Sequence, residues 1–216
     1  MEEKRQNERH VYIHENCMRK ALTFLRIPKN ASTSIYTFFG LSNTIRNEYL
    51  DANNSKYLNI FESSHCTLQE AKELLGDGIT ELPILAVIRN PYDRLVSMFF
   101  FAKKHDLGQL YDINLETFDS FADGFYRLSK DPDFFHAKTQ CEYITGDSNV
   151  TVCRFEKLKE DITRFISDNN LSFDIGGFQK LNSTIHNNYR SYYTDNTKEI
   201  VKSMWKDDLD RFSYSF

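Results

Sequence analysis

The apolar residues of the chain are grouped in three short runs that are typical of buried parallel strands. They are ALTFLRI at 21–27, ILAVI at 84–88 and VTVCRF at 150–155. Continuous apolar runs of this length are expected where helices cover both faces of a strand. Helix signals follow each run, so the pattern predicts repeated strand–helix units.

The predicted helices have recognisable ends. Asn90 can cap a helix after the second run, Pro91 suits its first position, and Thr67 with Glu70 forms a capping box. Gly40 and Gly76 stand where C-terminal caps are expected. The apolar stripes are Ile35/Phe38/Phe39, Leu68/Ala71/Leu74/Leu75, Tyr92/Leu95/Val96/Phe99/Phe100, Leu115/Phe118/Phe121/Ala122/Phe125, Leu158/Ile162/Phe165/Ile166 and Ile200/Val201/Met204/Trp205.

This alternation predicts an α/β fold, a three-layer domain with a mostly parallel central sheet flanked by helices. Ligands of such sheets sit at the carboxyl ends of the strands. Few Pro and Gly residues and no repeats or low-complexity tracts are present, so residues 1–216 are predicted to form one domain, with 1–20 as a peripheral N-terminal extension.

Composition narrows the classes of function. A net charge of −4 provides no basic field for nucleic acid, and the charged first ten residues do not form a secretory signal. The apolar runs are shorter than the roughly 20 residues of a membrane helix, so a cytoplasmic protein without a membrane span is expected. Cys17, Cys66, Cys141 and Cys153 lack metal-site spacing, and neither a metal nor a disulfide framework is expected.

Two segments have the composition of anion sites. In RIPKNASTS at 26–34, Lys29 and three hydroxyl residues lie between a strand and a helix N-terminus, where free N–H groups and the helix dipole favour anions. The alternative is a turn whose Ser and Thr residues merely cap the helix.

In VIRNPYDRLVS at 87–97, Arg89 and Ser97 could hold a phosphate. The alternative is an Arg89–Asp93 ion pair, with Arg94 and Ser97 on a solvated face.

Both segments resemble motifs of one family, the sulfotransferases. IPKNASTSI is similar to the 5′-phosphosulfate loop, particularly of carbohydrate-type members (sulfotransferase family 2-like), and VIRNPYDRLVS is similar to the 3′-phosphate signature. The resemblance covers nearly the whole chain after about residue 20 and implies a P-loop-like fold. It implies that 3′-phosphoadenosine 5′-phosphosulfate (PAPS) is bound by Lys29, Asn30, Ala31, Ser32, Thr33, Ser34, Arg89 and Ser97. Asn30, where Thr or Ala is usual, is interpreted as a departure of little chemical consequence.

Sulfuryl transfer to a hydroxyl needs a base, in-line placement and positive charge at the departing phosphate oxygen. Lys29 is expected to supply the charge, and the reaction needs no metal. His65 precedes a capped helix between the two motifs and is the first candidate for the base. His186 is the second candidate and Glu62 the third. His10, His14, His105 and His136 have no motif context.

Other functions stay open at this point. A small-molecule kinase shares the architecture, but the Walker A lysine position and a strand-terminal Asp for Mg²⁺ are missing. A non-catalytic nucleotide- or glycan-binding module is a further alternative. The expected partners are a nucleotide donor and an acceptor with a hydroxyl, a carbohydrate or a small alcohol. Segments 41–62 and 103–140 are expected to select it.

Overall fold

The fold is built on a small, mostly parallel sheet. The structure, a computed structural model, describes residues 12–14, 22–39, 65–75, 80–146, 149–179, 181 and 187–216. Its strands are β1 (Tyr12–His14), β2 (Leu22–Leu25), β3 (Ile84–Ile88) and β4 (Val150–Arg154), hydrogen-bonded in that order. β2, β3 and β4 are mutually parallel, as predicted, and β1 pairs antiparallel with β2.

The register brings the carboxyl ends of the parallel strands to one edge of the sheet. Leu25 pairs with Ala86, and Ile88 pairs with Arg154. All five residues of β3 are buried, as expected of a central strand with both faces covered. The residues that follow β2 and β3, which include both predicted anion motifs, therefore emerge at the same edge.

Two details of the sheet differ from the sequence prediction. β2 ends at Leu25 because the Ile27 N–H turns back to donate to the Leu25 carbonyl at 3.1 Å. Residues 12–14 form an edge strand, although no strand was predicted within the first 20 residues. A strand of three residues is too short to show periodicity, and its pairing with β2 is a tertiary effect.

Helices flank the sheet. They are α1 (Ser32–Phe38), α2 (Leu68–Leu75), α3 (Pro91–Lys104), α4 (Gly108–Tyr111), α5 (Phe118–Leu128), α6 (Gln140–Ile144), α7 (Leu158–Asp168) and α8 (Asp195–Phe212). Short 3₁₀ turns lie at Phe135–Ala137, Phe155–Lys157, Ile175–Gly177 and Tyr189–Tyr192. The six helices predicted from apolar stripes are confirmed as α1, α2, α3, α5, α7 and α8.

The predicted N-terminal caps are confirmed by their hydrogen bonds. The Tyr92 N–H donates to the Asn90 side chain at 3.0 Å, and Pro91 occupies the first position of α3. At α2, the Thr67 N–H donates to Glu70 Oε2 at 2.7 Å and the Glu70 N–H donates to Thr67 Oγ1 at 3.2 Å. The proposed C-terminal caps, Gly40 and Gly76, lie outside the described residues.

Two apolar clusters form the core of the described residues. One contains β2, β3 and β4 with side chains of α1, α2, α6 and α7. The other joins α3, α5 and α8 through residues such as Phe99, Phe121 and Trp205. Among the residues that the structure describes, no helix has both the length and the apolar character to cross a bilayer.

Candidate active site

The loop between β2 and α1 has a strained backbone. Lys29 and Ala31 both have left-handed conformations, with φ of 66° and 60°. Each costs roughly 1–2 kcal/mol for a residue with a side chain. Two arginines of the other motif hold the loop, because Arg94 Nε donates to the Pro28 carbonyl at 3.3 Å and Arg89 Nη1 donates to the Lys29 carbonyl at 3.1 Å. Left-handed residues at a helix entrance are a feature of backbone anion nests.

The start of α1 provides the N–H groups that an anion requires. The Ile35 N–H donates to the Ala31 carbonyl at 3.1 Å, which closes the first turn of the helix. The N–H groups before Ile35 therefore lie at the positive end of the helix dipole. The Ser32 hydroxyl donates to the Ile27 carbonyl at 3.3 Å. The Ser34 hydroxyl is buried and accepts from the Leu181 N–H at 2.8 Å, so that only the backbone of Ser34 is available to a ligand in this arrangement.

Lys29 is a partly buried amine with other cationic side chains near it. Its Nζ lies 3.8 Å from the centroid of the Phe101 ring, a cation–π contact. Burial, together with the positive charges of Arg89 and Lys104, lowers its pKa to about 7. An anion bound beside Lys29 would therefore favour the protonated, charged form of its side chain.

Arg89 meets the loop at the end of β3. Its Nε donates to Asp93 Oδ2 at 2.8 Å, so the ion pair considered from the sequence is formed. Its Nη1 bonds the Lys29 carbonyl at the same time. A guanidinium has five N–H donors, and these two bonds leave donors for a phosphate. The ion pair and a role in anion binding are therefore compatible.

Arg94 and Ser97 are both buried, so the alternative that placed them on a solvated helix face is wrong. Ser97 is 4% exposed and lies one turn beyond Asp93 on the same side of α3. Arg94 is fully buried, and its Nη1 and Nη2 donate to the Lys138 and His136 carbonyls at 3.1 Å. Arg94 is thus a buried residue whose hydrogen bonds connect three backbone carbonyls, and it is not a surface charge.

Asn30 and Gln140 connect the two motifs through a buried amide network. Asn30 Nδ2 donates to the Val87 carbonyl at 2.7 Å and to Gln140 Oε1 at 2.6 Å. Gln140 Oε1 also accepts from the Arg89 N–H at 2.8 Å, and its Nε2 donates to the Arg89 carbonyl at 2.9 Å. The interpretation of Asn30 as inconsequential is therefore wrong, because neither Thr nor Ala can donate two such bonds.

Asp208 of α8 completes this network from the other end of the chain. Its carboxylate accepts from the N–H groups of Gln140 and Cys141 at 2.8 and 2.9 Å, and it lies 3.9 Å from Arg94 Nη1. Both Asp208 and Arg94 are completely buried. From the sequence, Asp208 was assigned no role of its own.

His65 lies beside the end of β2 in a defined tautomer. Its Nδ1 is 2.6 Å from the Arg26 carbonyl, so Nδ1 carries the proton and Nε2 is the acceptor of the ring. Its ring stacks on Phe135 with centroids 5.2 Å apart. Burial lowers the pKa of His65 well below its usual range, and the charge of Arg26 adds to this effect. The imidazole is therefore neutral at pH 7.

His136 lies near His65, although the sequence provided no motif for it. The two ring centroids are 6.1 Å apart. His136 lines a pocket together with Lys29, and burial lowers its pKa to about 4, with Arg94 and Lys29 contributing. The nearest sequence signal was its place in segment 103–140, which was expected to contact the acceptor. The other candidate bases, His186 and Glu62, lie outside the described residues, as does segment 41–62.

The parallel sheet, with a left-handed loop after β2 and an arginine after β3, is typical of a P-loop-like α/β protein. The family model described as Sulfotransferase domain matches residues 3–213, and the chain belongs to the sulfotransferase family. The match also covers most of the first 20 residues, for which the sequence had suggested no resemblance. No curated protein matches the chain. Within the described part of the chain, no group of His, Cys, Asp or Glu residues is arranged to hold a metal ion.

Proposed function

We propose that this protein transfers the sulfuryl group of PAPS to a hydroxyl of an acceptor, leaving 3′-phosphoadenosine 5′-phosphate (PAP). The observation that carries the proposal is the contact between the two motifs: Arg89 Nη1 bonds the carbonyl of Lys29 at 3.1 Å. One nucleotide can therefore be held by both motifs, each with unused cationic donors.

The residues of the described site fit such a donor. Lys29 and the backbone of residues 30–34 are proposed to bind the 5′-phosphosulfate, with the Ser32 and Thr33 hydroxyls, and Arg89 and Ser97 the 3′-phosphate. The partly buried Lys29 has Arg89 and Lys104 as charged neighbours, and the repulsion among these groups is an energetic reason for an anion to bind there. When bound, PAPS supplies the activated sulfuryl group.

We propose that the neutral imidazole of His65 is the general base that accepts the proton of the acceptor hydroxyl. The acceptor O–H would give its proton to Nε2, while the acceptor oxygen forms a bond to sulfur and the bond from sulfur to the phosphate oxygen breaks. The bond from Nδ1 to the Arg26 carbonyl holds the required tautomer. Lys29 would stabilise the charge on the departing phosphate. No metal takes part in this scheme.

Nucleotide binding tests the proposal directly. Lys29→Ala and Arg89→Ala should each weaken PAP binding in calorimetry by roughly 30-fold or more, since loss of a buried charge contact costs about 2–5 kcal/mol. Arg127→Ala is the matched control, because Arg127 is an exposed residue paired with Asp112. Failure of the wild-type protein to bind PAP at millimolar concentration would overturn the proposal. PAP binding without turnover of labelled PAPS on any acceptor would indicate the non-catalytic module instead.

PAP affinity should fall as the pH rises above 7. Lys29 has a pKa of about 7 in the free protein, and a bound phosphate favours its protonated form, so binding above pH 7 requires uptake of a proton. The expected loss is up to about tenfold per pH unit, measured by calorimetry between pH 7 and 9. Phosphates with a second pKa of about 6 stay fully ionised over this range. Lys29→Arg, whose charge is permanent, should flatten the dependence, and an equal slope in both proteins would contradict it.

A further inference from the structure

The short 3₁₀ turn Phe135–Ala137 is fixed by side chains from three helices. Its first carbonyl accepts from the Tyr143 hydroxyl of α6 at 2.9 Å, and its second accepts from Arg94 Nη2 of α3 at 3.1 Å. Its third carbonyl accepts from Trp205 Nε1 of α8 at 2.8 Å, and the carbonyl after it accepts from Arg94 Nη1 at 3.1 Å. Tyr143, Arg94 and Trp205 are all completely buried. Four consecutive carbonyls are therefore held by donors that are themselves fixed by the close packing of the core.

The ring of Phe135 lies on the imidazole of His65. The two centroids are 5.2 Å apart and the ring planes differ by 19°, which is a stacked arrangement. A second connection runs through α2, which begins soon after His65. Lys138 Nζ pairs with Glu70 Oε1 at 3.1 Å, and Glu70 Oε2 accepts from the Thr67 N–H at 2.7 Å. The turn and the start of α2 are thus joined both by stacked rings and by an ion pair.

The stacked ring restricts the imidazole in a way that its hydrogen bond does not. The bond from His65 Nδ1 to the Arg26 carbonyl, at 2.6 Å, fixes one atom of the ring but leaves the tilt of the ring plane open. The Phe135 ring on one face opposes this tilt, because the imidazole would then collide with it. The two contacts together fix the position of Nε2, and a displacement of about 1 Å in a reacting group can lower a rate by roughly 10²-fold.

We propose that Phe135 is a positioning residue for His65, and that the turn Phe135–Ala137 is the rigid support that presents its ring. This inference rests on the proposed function, in which His65 is the general base. Phe135 acts through His65 and takes no part in proton transfer. Because Arg94 of the second motif holds two carbonyls of this segment, the base and the nucleotide motif share one support.

Charged and titratable groups face His65 from three neighbouring elements. They are Arg26 after β2, Arg94 of α3 and His136 of the turn. Both guanidiniums stay protonated, and burial lowers the pKa of His136 to about 4, so that His136 stays neutral above about pH 5. Loss of the Phe135 ring would expose the imidazole to water and raise the pKa of His65 towards its usual value of 6.5. A new titration between about pH 5 and 7 would therefore report on His65.

The first test is a spectroscopic one on the full chain labelled with ¹³C- and ¹⁵N-histidine, in which His65→Ala assigns the resonances of His65. In the wild type, the stacked Phe135 ring should shift the ring protons of His65 upfield. Phe135→Leu should abolish this shift and raise the pKa of His65. Phe135→Tyr keeps an aromatic ring and should retain both wild-type properties. Phe134→Leu is the matched control, because its ring packs on those of Tyr111 and Phe125, and it should leave the pKa of His65 unchanged.

The second test is the rate of PAP release from labelled PAPS with glycerol, methyl glucoside and 2-naphthol present together, which counts transfer to every hydroxyl, water included. Phe135→Leu should lower this rate by about 10- to 100-fold, with PAP affinity within about twofold of wild type, since His65 is assigned no contact with the nucleotide. Phe135→Tyr should restore the rate. Tyr143→Phe removes one carbonyl bond of the turn but keeps the Phe135 ring, and it should lower the rate by a smaller factor.

Folded Phe135→Leu with wild-type His65 resonances and a wild-type rate of PAP release would overturn the inference. If Phe135→Leu does not fold, Tyr143→Phe decides, and unchanged His65 resonances and rate in this variant would overturn the inference. Absence of PAP binding or of PAP release in the wild-type protein would instead overturn the proposed function. The two failures are therefore distinguishable.

Discussion

His65→Ala should reduce turnover of labelled PAPS by about 10²–10⁴-fold, the usual contribution of a general base, with PAP affinity within twofold of wild type. The reason is geometric, because the Nδ1 bond to the Arg26 carbonyl leaves Nε2 as an acceptor, and because His65 is assigned no contact with the nucleotide. Turnover is measured at saturating acceptor, and PAP binding by calorimetry.

The pH profile provides a second readout of the same role. A base must be unprotonated, and burial lowers the pKa of His65 well below its usual range. The kcat of the wild-type enzyme should therefore stay on its plateau at pH 6.5 and fall only when the pH drops through this lowered pKa. A decline of kcat already centred near 6.5 would contradict the environment assigned to His65.

Two other histidines serve as comparisons. His105→Ala should retain full activity, because His105 lies exposed at the C-terminal end of α3. His136→Ala should lower kcat less than His65→Ala does, since His136 is assigned no proton transfer and lines the cavity beside Lys29. If His65→Ala is fully active and His136→Ala loses kcat, proton transfer belongs to His136.

Asp208→Ala should lower the free energy of unfolding by about 3–5 kcal/mol, the cost of leaving a buried charge without its partner. The substitution would strand the fully buried Arg94 guanidinium and remove the acceptor of the Gln140 and Cys141 N–H groups. Urea unfolding, followed by circular dichroism, measures the change.

Asp210→Ala is the matched control on the same helix, because Asp210 is an exposed residue paired with Lys206 at the surface. This substitution should lower the free energy of unfolding only slightly. Folded Asp208→Ala should also bind PAP more weakly, since Arg94 holds the Pro28 carbonyl of the loop. If Asp208→Ala and Asp210→Ala have equal free energies of unfolding, the Arg94–Asp208 pair does not stabilise the protein as proposed.

Local signals were sufficient for most of the secondary structure and for the position of the two motifs at the ends of buried strands. The apolar run of β3 and the Asn90–Pro91 start of α3 depend on interactions within a few residues, and both are confirmed. The Thr67–Glu70 capping box is confirmed for the same reason. β1 was missed because three residues at a sheet edge contain no such local information.

The electrostatics of the site required the tertiary structure. Lys29 reads as an ordinary lysine, and only its burial beside Arg89 and Lys104 lowers its pKa to about 7. From the sequence, Arg94 was considered as a residue of a solvated helix face. The packing of α8 against α3 instead buries it beside Asp208. A pKa or a burial depends on neighbours distant in sequence, which a local pattern does not specify.

By itself, the sequence determined the fold class, the two motifs and their place at the ends of buried strands, because strand periodicity and helix capping are short-range effects. The tertiary structure decided how the motifs are joined: Asn30, Gln140 and Asp208 meet although 110 and 68 residues separate them. It also decided that His136 and Lys29 share a pocket. Such contacts arise from the packing of whole helices on the sheet, which brings together side chains that no spacing along the chain relates.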